Sequence, residues 1–141
     1  MYHNNENIKN VMEMLKQSPL KFTNQRKALI EIIFANGNTH FTAEDIYIKA
    51  QAKKINISLA TIYNNLNSFK NFNMLNVVKT NSDKMYFDTN LKNHHHFYCA
   101  ETGELTDIKS SKVVISKLPG VPEGKTIDNV SVVINLNNKT I

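Results

Sequence analysis

The sequence predicts an α+β fold, in which a winged helix-turn-helix is followed by a small α/β dimerisation domain. Helix-type apolar periodicity fills the first half of the chain and gives way to strand-type patterns near residue 74. Three or four helices followed by a β-hairpin is the layout of a winged helix-turn-helix. The remaining residues are few for a stable domain, so we expect this part to pair with a second copy. We place the two domains at residues 1–82 and 83–141.

Four helices are predicted in the first domain. The first has apolar residues at positions 8, 11, 12 and 15, the spacing of an amphipathic helix. Thr23, Thr42 and Ser58 precede the next three helices, and their hydroxyl oxygens are suited to accept backbone N–H groups as N-caps. The fourth helix extends from Leu59 to about Asn71. The third and fourth helices would form the helix-turn-helix pair.

Strand patterns follow these helices. Met74–Thr80 and Lys84–Asp88 flank a turn sequence and predict the hairpin of the wing. Phe97–Cys99 and Leu105–Ile108 predict a second hairpin in the other domain. Val130–Leu136 alternates as a final strand does, whereas the sequence of residues 110–118 fits either a short helix or a strand, with Val113-Val114-Ile115 favouring the strand.

Composition restricts the class of protein. Hydrophobic residues make up 41% of the chain, enough for a modest core, but no run of 18 apolar residues occurs. We therefore expect no transmembrane segment, no signal peptide and no membrane partner. A single cysteine rules out an internal disulfide framework and fits a cytoplasmic protein.

The whole net charge of +5 lies in the first half of the chain. Residues 1–80 contain ten Lys or Arg and five Asp or Glu, whereas residues 81–141 contain seven of each kind. A basic half joined to a neutral, histidine-rich half favours a nucleic-acid-binding module attached to a second module. Ordinary solubilising charge is the alternative explanation.

The fourth helix is the predicted recognition helix. Small hydroxyls and amides near a helix N-terminus are suited to phosphates and base edges, and a tyrosine ring is suited to a thymine methyl group. The residues expected on its exposed face are Ser58, Thr61, Tyr63, Asn64, Asn65 and Ser68. Lys21 and Arg26, at the start of the second helix, are expected to meet backbone phosphate.

Three consecutive histidines, His94-His95-His96, are the main candidate for a metal site. Side chains on a strand alternate faces, so His94 and His96 would share one face and His95 would point to the other. Two imidazoles with the carboxylates of Asp88 and Asp107 close in sequence form a donor set for Zn(II), Fe(II), Mn(II) or Co(II). The alternative is a solvated polar turn in a chain rich in asparagine.

Six segments of the chain form a recognisable series: Phe22–Arg26, His40–Tyr47, Ser58–Tyr63, Tyr86–Asp88, His94–His96, and Gly103 followed by Asp107. In their order and spacing these segments resemble the ferric uptake regulator (Fur) family of metal-responsive repressors. The resemblance covers nearly the whole length. The histidine triplet and Val121–Gly124 are most similar to the iron response regulator (Irr) branch, whose members sense haem status.

The resemblance implies a repressor of iron or haem homeostasis that binds a double-stranded DNA operator as a homodimer and is not an enzyme. It implies one divalent metal per chain, Fe, Mn or Zn, between the two domains. The implied metal ligands are His40, Asp88, His94, His96 and Asp107. A metal held on both sides of a hinge would favour one orientation of the DNA-binding domains. Haem is a second implied cofactor, with His94, His95 and His96 as candidate contacts.

The chain departs from the family pattern at its cysteines. Family members typically carry two Cys-x-x-Cys pairs that hold a structural zinc. Cys99 occupies the first position of one pair, Thr102 occupies the partner position, and the other pair is absent. A Cys₄ zinc site within one chain is therefore excluded. The Cys-Pro dipeptide of some Irr proteins is also missing, because Ala100 follows Cys99.

Three other functions compete with an iron or haem regulator. A peroxide-sensing repressor of the same family, using Fe(II) or Mn(II), is the nearest, because an Asp at position 107 resembles the peroxide-sensing branch. A metal-storage protein is a more remote alternative. A metallo-hydrolase is also remote, since no separate general base and no substrate-positioning motif accompany the histidines.

Overall fold

The protein forms two compact units in a computed structural model that describes residues 2–139. The first unit contains the chain up to Lys79 together with Lys84–Leu91, and the second contains Thr80–Asp83 and the chain from Lys92 onwards. Lys84–Leu91, which the expected boundary after residue 82 places in the second domain, belongs to the first compact unit. Within the described part of the chain, no helix has the length and apolar character needed to cross a bilayer.

The first unit contains the four predicted helices. Their bounds are Tyr2–Gln17 for α1, Asn24–Ile33 for α2, Ala43–Ala52 for α3 and Leu59–Asn71 for α4. The three predicted N-caps form: the Thr23 and Ser58 hydroxyl oxygens each accept a backbone N–H at 3.1 Å. Thr42 and Asp45 form a reciprocal capping box. These caps fix where α2, α3 and α4 begin.

The four helices pack around one apolar core. Apolar residues on α2 and α4 recur every three or four positions, so each helix turns one stripe inward. Fully buried core side chains come from every helix and from the adjoining sheet: Leu15, Leu29, Ile30, Ile46, Ile62, Leu66, Phe69 and Phe87. The opposite, exposed face of α4 is therefore held in place by a packed apolar core.

A three-stranded antiparallel sheet adjoins these helices. Its strands are β1 (His40–Phe41), β2 (Asn76–Val78) and β3 (Tyr86–Asp88), in the order β1-β3-β2. The predicted wing hairpin is confirmed, with both strands shorter than expected. The two-residue strand β1 was not predicted, because so short a segment shows no alternation. It places His40 directly opposite Asp88.

The second unit is built on another three-stranded sheet. Its strands are β4 (His95–Cys99), β5 (Glu104–Ile108) and β6 (Val133–Leu136), in the order β5-β4-β6. The predicted β4–β5 hairpin and final strand are both confirmed, and β6 pairs in parallel with β4. Gly103 closes the hairpin at φ 72°, in the left-handed region that favours glycine, and its N–H donates to the Cys99 carbonyl at 2.7 Å.

The segment between β5 and β6 contains one short 3₁₀ turn, Ser110–Lys112, followed by irregular backbone. The strand favoured for Val113–Ile115 is wrong. Val114 is 86% exposed, so no neighbouring layer covers the apolar side chains that suggested a strand. An apolar groove of about 410 Å³ lies farther along, between Leu118 and Val130.

Candidate metal centre and nucleic-acid interface

The first unit places His40 and Asp88 beside each other. They are directly opposite on β1 and β3, and opposite residues of antiparallel strands project to the same face. Nε2 of His40 lies 3.5 Å from Oδ2 of Asp88. The Asp88 side chain is almost fully buried, and its other oxygen accepts the Asn90 N–H at 2.9 Å. The carboxylate is thereby oriented towards the imidazole.

The second unit brings together His94, His96 and Asp107. His96 and Asp107 are opposite on β4 and β5, and Nε2 of His96 lies 3.3 Å from the Asp107 carboxylate. His94 immediately precedes β4, and its Nε2 lies 3.2 Å from the same carboxylate oxygen. The centroids of the two imidazole rings are 4.5 Å apart. Both imidazoles and one carboxylate therefore converge on one place.

Hydrogen bonds assign the ring protons of two histidines. Nδ1 of His94 lies 2.6 Å from the Lys92 carbonyl oxygen, so in the neutral ring Nδ1 donates and Nε2 presents a lone pair towards Asp107. His95 has the opposite tautomer: its Nδ1 accepts the Val132 N–H at 2.9 Å, which places the proton on Nε2. His95 is only 4% exposed. The neighbours of His94 thus prepare a metal ligand, whereas those of His95 do not.

The predicted DNA-contacting residues lie at the N-cap and in the first half of α4, just before α2, and in the first turn of α2. Ser58 and Asn64 are exposed, and Thr61 and Tyr63 are partly so. The Tyr63 hydroxyl donates to a Glu44 carboxylate oxygen at 2.9 Å. Burial, then the hydrogen bond and charge of Glu44, raise the pKa of Tyr63 above its ordinary value. The Tyr63 ring is therefore oriented by α3.

Lys21 is exposed, whereas Arg26 is partly buried. The Arg26 guanidinium donates to Asn65 of α4 at 3.0 Å and to the Lys21 carbonyl oxygen at 2.6 Å. The expectation that Asn65 is exposed is wrong: Asn65 is 7% exposed, because it packs inward and bonds Arg26. Sequence periodicity alone could not detect this contact, which joins residues 39 positions apart.

Cys99 carries no disulfide and is buried next to the turn that begins at Ala100. Hydrogen bonds from the side chain and then the backbone of Thr102 lower the pKa of the Cys99 thiol. Thr102 thus acts as a hydrogen-bond donor at the position where a Cys-x-x-Cys pair has its second sulfur.

A sequence profile described as the ferric uptake regulator family matches residues 17–132. The chain belongs to the ferric uptake regulator (Fur) family. A Fur-family relative from Staphylococcus aureus strain Mu50, named peroxide-responsive repressor PerR, is 35% identical over 95 residues. That match covers 67% of this chain and 64% of the relative's length, so somewhat less than two thirds of the relative is represented.

Solved Fur structures share the fold. The ferric uptake regulator of Pseudomonas aeruginosa, solved with manganese, superposes with a TM-score of 0.71 at 19% identity, over 91% of this chain and 97% of that one. The ferric uptake regulator of Vibrio cholerae, whose structure is described as revealing a rearrangement of its DNA-binding domains, gives a TM-score of 0.70 at 22% identity. It covers 89% of this chain and 97% of that one. These likenesses confirm the predicted α+β fold.

Proposed function

We propose that this Fur-family protein is a DNA-binding transcription regulator whose affinity for its operator depends on one divalent metal. The observation that carries the proposal is a repeated arrangement. In each unit, a histidine and an aspartate face each other across two antiparallel strands with imidazole Nε2 directed at the carboxylate. Imidazole nitrogens and carboxylate oxygens are ligands that divalent transition metals take in proteins.

The donor set fits a divalent metal. Three imidazole nitrogens and two carboxylates suit Fe(II), Mn(II) or Zn(II), and the neutral Nδ1–H tautomer of His94 leaves its Nε2 lone pair for coordination. We propose that His40, Asp88, His94, His96 and Asp107 hold a single ion. A bound divalent cation supplies positive charge that offsets the two carboxylates.

A metal shared between the two units would couple metal binding to DNA binding. His40 and Asp88 belong to the unit that contains α4, whereas His94, His96 and Asp107 belong to the other unit. An ion that requires ligands from both would favour one arrangement of the DNA-binding helices. Metal binding would then change the affinity for the operator by some factor, and operator binding would change the affinity for the metal by the same factor.

DNA recognition is proposed for the exposed side of α4 and for the residues before α2. Lys21 would contact phosphate, and Ser58, Thr61, Tyr63 and Asn64 would lie against the major groove. The Tyr63 hydroxyl is directed at Glu44, so the part of Tyr63 that is suited to a base is its ring, against a thymine methyl group. The packed helical core is the scaffold that carries these residues.

The protein is proposed to act as a homodimer in the cytoplasm. The second unit buries few apolar side chains, whereas several large ones are exposed: Val114, Ile115, Leu118, Val121, Ile127, Ile134 and Leu136. A second copy covering this surface would remove it from water. A two-fold dimer would also present two copies of α4 to an operator with two half-sites.

Two effectors are proposed. Iron or haem is supported by the resemblance of the histidine triplet to the Irr branch, although the burial of His95 gives no support to direct haem contact there. Peroxide is supported by the 35% identity to a peroxide-responsive repressor. In the peroxide case, treating the Fe(II)-loaded protein with hydrogen peroxide should abolish operator binding and add an oxygen atom to a ligating histidine, whereas the Mn(II)-loaded protein should resist.

The test is a DNA titration of the full chain with and without Mn(II). The probe is a DNA duplex that the protein selects from a randomised pool. Binding of the protein to this duplex is measured by fluorescence anisotropy. Mn(II) should change the dissociation constant by about 5- to 150-fold. His40→Ala should weaken Mn(II) binding and remove this effect, because His40 is the only imidazole ligand proposed from the first unit.

Asn36→Ala, at an exposed position shortly before β1, is the matched control and should behave as wild type. Equal operator affinity with and without Mn(II) in the wild type would contradict metal control. A full Mn(II) effect in His40→Ala would contradict the shared site. If no duplex is bound above the level of random DNA, the proposed DNA-binding function is wrong.

A further inference from the structure

Arg26 is the only arginine of the chain, and two of its nitrogens donate hydrogen bonds to other parts of the first unit. Its Nε donates to Oδ1 of Asn65 at 3.0 Å, and one terminal nitrogen donates to the Lys21 carbonyl oxygen at 2.6 Å. The guanidinium is planar, so its donors keep a fixed angle to each other. One side chain therefore holds both the segment before α2 and the helix α4.

Asn65 is arranged to receive this contact. It is 7% exposed, and its Nδ2 donates to the Thr61 carbonyl oxygen of the preceding turn at 3.0 Å. That bond leaves Oδ1 directed at Arg26. Thr61 in turn donates its backbone N–H to Ser58, the N-cap of α4. The hydrogen bonds thus run from the backbone of Lys21 to the first turn of α4.

We propose that Arg26 and Asn65 are positioning residues for DNA reading, together called the Arg26–Asn65 brace. The brace rests on the proposed DNA-binding function. It holds the backbone of Lys21 at a set distance from the exposed face of α4, so that a phosphate contact by Lys21 and base contacts by α4 are made at the same time. Arg26 acts through Lys21 and α4, and its charge is not a phosphate contact.

Salt dependence separates the brace from a phosphate contact. Removing one cation that neutralises a phosphate flattens the slope of log affinity against log salt by about 0.9. Lys21→Ala should flatten the slope in this way. Arg26→Gln should weaken binding to the selected duplex about tenfold. It should also flatten the slope about as much as Lys21→Ala does, because Lys21 loses its phosphate contact, and it should flatten the slope no further in the Lys21→Ala background. Lys27→Gln, which removes a neighbouring exposed charge from the same helix, is the matched control for charge alone.

The decisive measurement is the effect of Lys21→Ala in three backgrounds. In the wild type it should weaken binding several-fold. In Asn65→Leu, which removes the acceptor, Lys21→Ala should have little further effect. In Asn65→Asp, which keeps an oxygen for Arg26, the wild-type effect should return. Because each comparison is a ratio within one background, changes in overall charge or stability cancel.

Three outcomes would overturn the brace. One is a slope that Arg26→Gln flattens by about a further 0.9 in the Lys21→Ala background, which would make Arg26 a phosphate contact of its own. Another is an equal effect of Lys21→Ala in all three backgrounds, which would show that Asn65 does not position Lys21. The third is a wild-type chain that binds the selected duplex no better than random DNA, and this result alone overturns the proposed function as well. Thermal melting of each variant confirms that it is folded.

Discussion

Each of the three consecutive histidines has different neighbours, and those neighbours assign different roles. His94 donates from Nδ1 to a backbone carbonyl. Nε2 of His94 and Nε2 of His96 are both directed at Asp107. His95 accepts the Val132 N–H and is buried. Residues adjacent in sequence are thus separated into two metal-ligand candidates and one structural residue.

This separation predicts opposite results for two substitutions. His96→Ala should reduce Mn(II) affinity by more than about tenfold, because even residues that only orient a ligand are worth 10- to 100-fold. His95→Ala should leave Mn(II) affinity nearly unchanged and lower the free energy of unfolding by about 1–3 kcal/mol, because the Val132 N–H loses its buried acceptor. Calorimetric Mn(II) titration and urea unfolding measure the two effects.

His95→Gln is the more conservative variant if His95→Ala proves too unstable, since the glutamine side-chain oxygen can still accept the Val132 N–H. Equal losses of Mn(II) affinity at positions 95 and 96 would contradict the different roles assigned to His95 and His96.

The different roles of His95 and His96 were predicted from the sequence, by the alternation of side chains between the two faces of a strand. The tautomers could not be predicted, because they depend on Val132 and on a backbone carbonyl whose direction only the fold sets.

The helix pair α3 and α4 is joined by the hydrogen bond from Tyr63 to Glu44. Partial burial and Glu44 raise the pKa of Tyr63, so the folded protein holds the phenolic proton more tightly than the unfolded chain does. The resulting stabilisation is complete below the unfolded pKa of about 10. It is lost as the pH rises through the raised value of the folded state.

An ultraviolet titration of phenolate formation tests this link. Subtracting the curve of Tyr63→Phe from that of the wild type should isolate a phenol with a pKa above about 10. Glu44→Gln should lower the pKa of Tyr63 only in part, because burial is the larger cause. Glu31→Gln, an exposed carboxylate on α2, should leave it unchanged. A Tyr63 pKa unaffected by Glu44→Gln would contradict the contact.

The elements of the first unit differed in how well they could be predicted. The N-caps of α2, α3 and α4 are Thr23, Thr42 and Ser58 as expected, because a cap is a local interaction between residues about three apart. The strand β1 was missed, since it is defined only by pairing with Phe87 and Asp88, far along the chain. Its residue His40 could be proposed as a ligand only through the resemblance to the Fur family.

For the whole molecule, the expected dimer and the missing cysteines lead to one prediction. The chain has a single cysteine, so no Cys₄ zinc site within it can stabilise the second unit. Protein treated with EDTA should therefore remain a folded dimer in analytical ultracentrifugation. Ile127→Lys, which places a charge in the exposed apolar surface of the second unit, should give folded monomers instead.

Dissociation of the EDTA-treated wild type into unfolded monomers would show that a structural metal exists.

The apolar side chains on which the dimer prediction rests can be read from the sequence, but their exposure to solvent cannot. Val113–Ile115 has the composition of a strand and forms none, because strand formation depends on a neighbour that composition does not specify. The division into two units could be anticipated because the charge and the periodicity both change along the chain.

The parallel pairing of β6 with β4 has a consequence for synthesis of the protein. Val132 bonds both the His95 ring and the His96 backbone, yet it lies 37 positions after His95. On the ribosome, the histidine strand therefore emerges well before one of its two neighbouring strands exists. We expect ribosome-bound chains that stop short of Val132 to bind Mn(II) poorly, so that tight metal binding begins only after Val132 has been translated.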